Sequence, residues 1–263
     1  MRYKYSTKMH LSFKSALKRH IKIMYHYMFD IFENSIETRT QPVFIVGCGN
    51  SGTTLTATIL SRHPEAFSIG FESNFFFPTL GLNFSKNIAI FIDTLSRQHN
   101  KSFFMEKTPK HALCISRIFK ILPHAKIIYV IRDGRDAVAS LNKRYMDIKV
   151  ATDRWVTDNA PAIKWKFDDR VKLIRYEDLV ANPHQTVNLI CEHLNIIFDP
   201  KMLTSNETPY KNTAKGNMIM RSVQVSAPIY NNTGKWKSDL TPEKLVYFMT
   251  KASHIMRQLN YTT

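Results

Sequence analysis

The chain has 263 residues, enough for one substantial core, and nothing in it forces a second domain. Its formal charge of +16 favours an anionic ligand, an anionic polymer or an acidic membrane surface, with a merely basic solvated surface as the plainer alternative. Cys48, Cys114 and Cys191 have neither a metal-ligand spacing nor the number for a paired disulfide set, so buried reduced thiols are expected and no metal is called for.

Residues 1–40 read as a separate extension. Phe13, Leu17, Ile21, Met24, Met28 and Ile31 recur every three or four positions with Lys14, Lys18, Arg19 and Lys22 between them, which predicts a basic amphipathic helix. It has no apolar run long enough to span a membrane and no secretory signal, so a cytoplasmic location is expected. The helix is expected to pack on the body of the domain, with peripheral membrane contact through residues 10–34 as the alternative.

Residues 41–263 read as a single domain that begins with Gln41-Pro-Val-Phe-Ile-Val-Gly-Cys-Gly-Asn-Ser-Gly-Thr-Thr-Leu55: a buried strand, a glycine loop and a helix start. Such a loop turns backbone N–H groups and a helix N-terminus toward an anion. The spacing from Gly47 to Gly52 fits the nucleotide phosphate-loop template, but Thr53 stands where that template has its lysine. A smaller or less charged anion than Mg-ATP is therefore expected, although a plain strand-to-helix turn would use the same glycines.

Further along, a helix over Thr54–Arg62 stops before Pro64, and a second strand is expected over Ala66–Phe71. Helical periodicity runs over Asn87–Gln98. Phe103 and Phe104 start a strand into Glu106-Lys-Thr-Pro109, and Pro109 opens a helix to Leu122. Lys126–Arg132 is the clearest strand, followed by a helix from Ala137 to about Tyr145. Val171–Tyr176 is another strand, then a helix runs over Pro183–Leu194. The stretch from Leu203 to Asn232 is polar and irregular, either a lid or a merely mobile loop, and Thr241–Leu259 closes the chain as a helix. Strands alternating with helices predict an α/β domain with a parallel sheet, whose ligands bind at the carboxyl ends of the strands.

Four stretches together resemble the sulfotransferase family, whose donor is 3′-phosphoadenosine 5′-phosphosulfate (PAPS) and whose desulfonated product is PAP. They are Gly49-Asn-Ser-Gly-Thr-Thr-Leu55, Glu106-Lys-Thr-Pro109, Tyr129-Val-Ile-Arg-Asp-Gly-Arg-Asp-Ala-Val-Ala-Ser140 and Arg175-Tyr-Glu-Asp-Leu179, with a weaker echo at Gly234-Lys-Trp236. The resemblance covers about residues 42–195 and implies a sulfotransferase domain of phosphate-loop fold that moves a sulfonate from PAPS to the hydroxyl of a glycan, peptide tyrosine or small molecule. It implies a 5′-phosphosulfate site at Gly49, Asn50, Ser51, Gly52, Thr53 and Thr54, and a 3′-phosphate site at Arg132 and Ser140. Gly234 and Lys235 fall in the family's C-terminal nucleotide loop. Asn50 departs from the Lys or Arg usual before the Ser-Gly-Thr-Thr run, which moves the electrostatic duty toward Lys107.

Glu72, in Ile69-Gly-Phe-Glu72, resembles the base of the protein-tyrosine branch, with His111 as runner-up and a helix-facing or solvent role as the plainer reading of that histidine. Tyr176 either lines the donor pocket or caps the sheet; Arg132 has an ion pair with Asp133 or Asp136 as its alternative. The competing functions are a non-catalytic PAPS- or PAP-binding homologue and, less well supported, a phosphate-loop nucleotide kinase. No helix-turn-helix, zinc-finger or aromatic-platform pattern accompanies the basic residues, so no specific nucleic-acid partner is expected.

Overall fold

The computed structural model describes residues 35–204 and 231–262. Five strands, β1 (Gln41–Gly47), β2 (Ala66–Ser68), β3 (Phe103–Lys107), β4 (Lys126–Ile131) and β5 (Val171–Arg175), form one sheet in the order β2-β3-β1-β4-β5. Every neighbouring pair is parallel. The chain leaves β1 toward β2 on one side and leaves β4 toward β5 on the other. A crevice therefore opens between the carboxyl ends of β1 and β4.

The central strands β1 and β4, and β3 as far as Met105, carry apolar residues on both faces because both faces are covered. Val43, Ile45, Met105, Ile128 and Val130 face one layer, which receives Ala57 and Leu60 of α1 (Thr53–Ser61) and Val187 and Ile190 of α7 (Pro183–Leu194). Phe44, Val46, Phe104, Ile127 and Tyr129 face the other, which holds Ile118 of α3 (Ile115–Ile121), Trp155 of α5 (Ile148–Trp165) and Phe248 of α9 (Pro242–Gln258). Burying one such phenylalanine contributes about 2–3 kcal/mol. The remaining helices are α2 (Leu82–Gln98), α4 (Gly134–Tyr145), α6 (Tyr176–Ala181) and α8 (Trp236–Asp239).

The expected parallel α/β architecture is present, with several differences of detail, among them a second helix that starts at Leu82 rather than Asn87. The second strand ends at Ser68 rather than Phe71, because Gly70 (φ 74°) turns the chain away and leaves Glu72 on a loop. The helix expected from Pro109 splits into a 3-10 turn over Pro109–Cys114 and then α3. The helix after β4 starts at Gly134, because the Asp133 carboxylate accepts from Arg135 N and caps it. Helix α5 was not legible: its interior carries Pro161, and its start is a capping bond from Lys149 N to Asp147.

The basic helix expected before residue 35 and residues 205–230 of the polar stretch lie outside the described residues. Residues 35–40 are tied to the body: Ile36 N donates to Ile121 O at 2.9 Å, and Thr40 gives its N–H and its hydroxyl to Asp93. Among the described residues no helix is long and apolar enough to cross a membrane.

Candidate active site

β1 runs into the glycine loop against the sheet backbone. A Cβ at Gly47 would lie 2.2 Å from Val130 O, so the strand can turn here only without a side chain. Asn50 sits at φ 65°, a left-handed conformation that asparagine tolerates better than most residues. Gly52 follows at φ 96° as the residue before α1, and a Cβ there would lie 2.6 Å from the Tyr176 ring.

No side chain caps α1. Its first-turn amides, those of Thr53, Thr54 and Leu55, have no carbonyl within the helix to receive them. Ser51 is fully buried, and its Oγ has no hydrogen-bond partner among the described residues. Gly49, Asn50, Ser51, Gly52, Thr53 and Thr54 therefore share one loop and helix start, with donors and the positive end of a short helix on offer. Beneath it, Cys48 is buried beside Asp158; burial first, then the Asp158 charge, pushes its thiol well above the usual range. All three cysteines are free and buried, as expected.

Arg132 leaves the end of β4 toward this loop. Its guanidinium lies 4.5 Å from the centre of the Tyr176 ring, which also lies close over Gly52. One terminal nitrogen donates to Asn50 O at 3.0 Å and the other to Asn232 O, while Nε is buried without a partner among the described residues. The alternative of an ion pair with Asp133 or Asp136 does not hold. Asp133 pairs with Arg135 at 2.6 Å, and Asp136 accepts from Gly234 N at 2.7 Å and from Trp236 N at 2.9 Å.

Those two amide bonds, with Arg135 lying 4.6 Å over the Trp236 ring, bring the segment of Gly234 and Lys235 to the start of α4. Ser140 is half-buried on α4, and its hydroxyl has no bond among the described residues. Glu177 closes the frame. It accepts from Asp133 N at 2.9 Å and from the Tyr261 hydroxyl at 2.9 Å, tying the ends of β4 and β5 to the C-terminal residues.

At the other end of the crevice, Lys107 Nζ donates to Glu72 Oε1 at 2.6 Å. The lysine side chain is fully buried and the carboxylate is about one-third exposed. Lys107 is paired with Ile45 in the sheet register, two residues before Gly47, so the pair flanks the glycine loop. Its neighbour Glu106 points to the opposite face, as strand alternation requires. There it accepts from Ser73 N, Ser73 Oγ and Thr108 Oγ1, and it meets His111 Nδ1 at 2.8 Å. Burial works against the Glu106 charge, but the His111 ring, Thr108 and Ser73 outweigh it and hold the carboxyl below its ordinary value.

His111 is fully buried among Phe44, Phe75, Phe76 and Phe77, and Phe76 N donates to its Nε2 at 3.3 Å. Both nitrogens are engaged away from solvent. That excludes the solvent half of the helix-facing or solvent reading and leaves neither nitrogen open for the runner-up role of base. The residues that sequence reasoning passed over are Glu106, Asp136 and Glu177. All three lie inside the motifs quoted for other residues, and each bonds main-chain amides that a sequence pattern does not record. Among the described residues no group of three or more His, Cys, Asp and Glu is placed to hold a metal ion.

A family model described as the sulfotransferase family matches residues 84–200. A protein-tyrosine sulfotransferase A from Caenorhabditis elegans is 26% identical over 90% of this chain and 72% of its own length. A protein-tyrosine sulfotransferase 1 from Danio rerio is 26% identical over 63% of this chain and 56% of its own. Among solved structures, the sulfotransferase domain of the Synechococcus PCC 7002 olefin synthase superposes with a TM-score of 0.69 at 17% identity, over 88% of this chain and 99% of that one. A mouse sulfotransferase complexed with PAP gives 0.57 at 19% identity, over 86% and 91%. The structural likenesses show the fold.

Proposed function

From the premise that this chain is an enzyme of the sulfotransferase family, we propose that PAPS is its donor and that a tyrosine hydroxyl in an acidic peptide is its acceptor. PAPS, when bound, supplies the sulfonate group and departs as PAP. The amides and hydroxyls of Ser51, Gly52, Thr53 and Thr54 would hold its 5′-phosphosulfate end. Arg132 and Ser140 would take the 3′-phosphate, and Tyr176, Gly234 and Lys235 would flank the nucleotide. The observation that carries this reading is a pair of buried polar atoms, Ser51 Oγ and Arg132 Nε, that have no partner among the described residues, beside a helix start that none of the described side chains caps.

Glu72 is the proton acceptor in this account. It is exposed enough to meet an incoming hydroxyl, and its contact with Lys107 orients it. Lys107 faces the same side of the sheet as the glycine loop and, while bonded to Glu72, would place a positive charge beside the transferring group, which Asn50 can hydrogen-bond but not charge-stabilise. A sulfuryl group carries less negative charge than a phosphoryl group, so Thr53 in place of a phosphate-loop lysine suits this donor.

The acceptor class rests on the names of the relatives and on the +16 charge, which would attract an acidic peptide and speed its encounter. Sulfonate transfer from labelled PAPS to an acidic tyrosine peptide, against the same peptide with phenylalanine, tests it. Label on the tyrosine peptide alone is expected. Transfer to neutral small phenols with none to peptide would remove the peptide acceptor and leave the donor assignment standing.

A further inference from the structure

The loop that carries Glu72 is fastened to the sheet one amide at a time. The N–H of Ser73 donates to Glu106 Oε1 at 3.2 Å, that of Asn74 to Thr108 Oγ1 at 3.2 Å, and that of Phe76 to His111 Nε2 at 3.3 Å. The three receiving side chains are joined to one another through Glu106, whose Oε1 accepts from Thr108 Oγ1 and whose Oε2 faces His111 Nδ1. Since His111 Nε2 accepts from Phe76, Nδ1 carries the hydrogen that is donated to the carboxylate. Ser73 Oγ adds a further bond to Oε1 at 2.8 Å.

Every group around this buried carboxylate is thus a donor, which is the condition under which a buried charge is tolerated. The placement is also specific to the site. Two consecutive residues of β3, Glu106 and Lys107, grip two consecutive residues of the loop, Ser73 and Glu72.

We propose that Glu106 is a positioning residue for sulfonate transfer: with Thr108 and His111 it fixes the backbone over residues 73–76 and thereby keeps Glu72 on Lys107. The inference rests on the reading of Glu72 as proton acceptor. It adds that the acceptor's geometry is set from the opposite face of the strand by a residue that touches neither donor nor acceptor.

Glu106→Gln tests it, because glutamine has one acceptor oxygen and one donor amide and cannot receive from all four groups at once. At least one rung of the ladder must break. In the full chain, amide hydrogen exchange at Ser73, Asn74 and Phe76 is expected to accelerate tenfold or more, with Ile45 and Ile128 exchanging as in the wild type and PAP affinity within twofold. Transfer from PAPS to the acidic tyrosine peptide is expected to lose tenfold or more in kcat at unchanged KM for PAPS. In a Glu72→Gln background, Glu106→Gln should cost nothing further, since it acts through Glu72. Thr108→Val, which removes only the Asn74 rung and the bond to Glu106, is the second variant and should give the same pattern more weakly if Glu106→Gln does not fold.

Wild-type exchange at all three amides in the folded variants overturns the proposal. So does an equal further loss of kcat in the Glu72→Gln background, which would mark a merely structural role. Full activity of Glu72→Gln would instead remove the reading of Glu72, with the exchange result still standing for the loop.

Discussion

At the β1–β4 end of the crevice the cation is held by neutral groups, whereas at the β2–β3 end it is held by a carboxylate. Arg132 spends its fork on the main-chain carbonyls of Asn50 and Asn232, and the nearby carboxylates Asp133 and Asp136 are occupied elsewhere. Lys107 is matched to Glu72 at 2.6 Å. A cation facing a carboxylate gains the full attraction of an opposite charge, whereas one facing a carbonyl gains only that of a dipole. On the proposed donor assignment, a phosphate would displace carbonyls from Arg132 more readily than a donor oxygen would take Lys107 from Glu72. One end is built to exchange partners and the other to keep them.

The largest effect that would break this contrast is expected at the fixed end. Glu72→Gln should lower kcat for transfer by about 10²–10⁴-fold, the usual range for removing a general base. Steady-state kinetics with PAPS varied should find its KM unchanged; a parallel loss of donor affinity would mean that the two ends are not separate.

A smaller effect is expected at the exchanging end from Gly52→Ala. The added Cβ meets the Tyr176 ring at 2.6 Å and φ is 96°, so the loop or the ring must shift at a cost of about 1–2 kcal/mol, and PAP should bind about tenfold more weakly. Calorimetry would read this directly, and unchanged affinity would show that the loop geometry is irrelevant to the donor.

The smallest effect is a pH dependence confined to the fixed end. Glu106 has a folded pKa below its ordinary value of 4.5, so the stability from its charge is complete above about that pH and is lost as pH falls through the lower folded value. Amide exchange at Ser73 should therefore accelerate below pH 4.5 before exchange at Val130 does. Simultaneous acceleration would mean that the ladder has no acid sensitivity of its own.

The two ends were also unequally legible in sequence. The apolar runs of β1 and β4 and the glycines between Gly47 and Gly52 record backbone demands directly, so the strands and the loop could be read from residue types alone, while Arg132 took its role from the family likeness. The partners of Arg132 could not, because a carbonyl belongs to any residue, and Asn232 lies 100 positions away. At the other end Glu72 was reached only through a family likeness. Glu106 drew no role, since nothing in Glu-Lys-Thr-Pro says which way each side chain turns; the alternation of β3 decides that Lys107 faces the loop and Glu106 the core. Helix α5 escaped because Pro161 interrupts its pattern and its Asp147 cap does not precede an apolar stripe.

The central claim is that the glycine loop and Arg132 together form the donor site. Calorimetric titration of PAP into the wild type and into Arg132→Ala tests it most directly. Micromolar binding to the wild type, weakened about 100-fold or more in the variant, is the predicted result, the loss of a charge-assisted contact worth about 2–3 kcal/mol. Equal binding by both proteins, or none by the wild type, would contradict it.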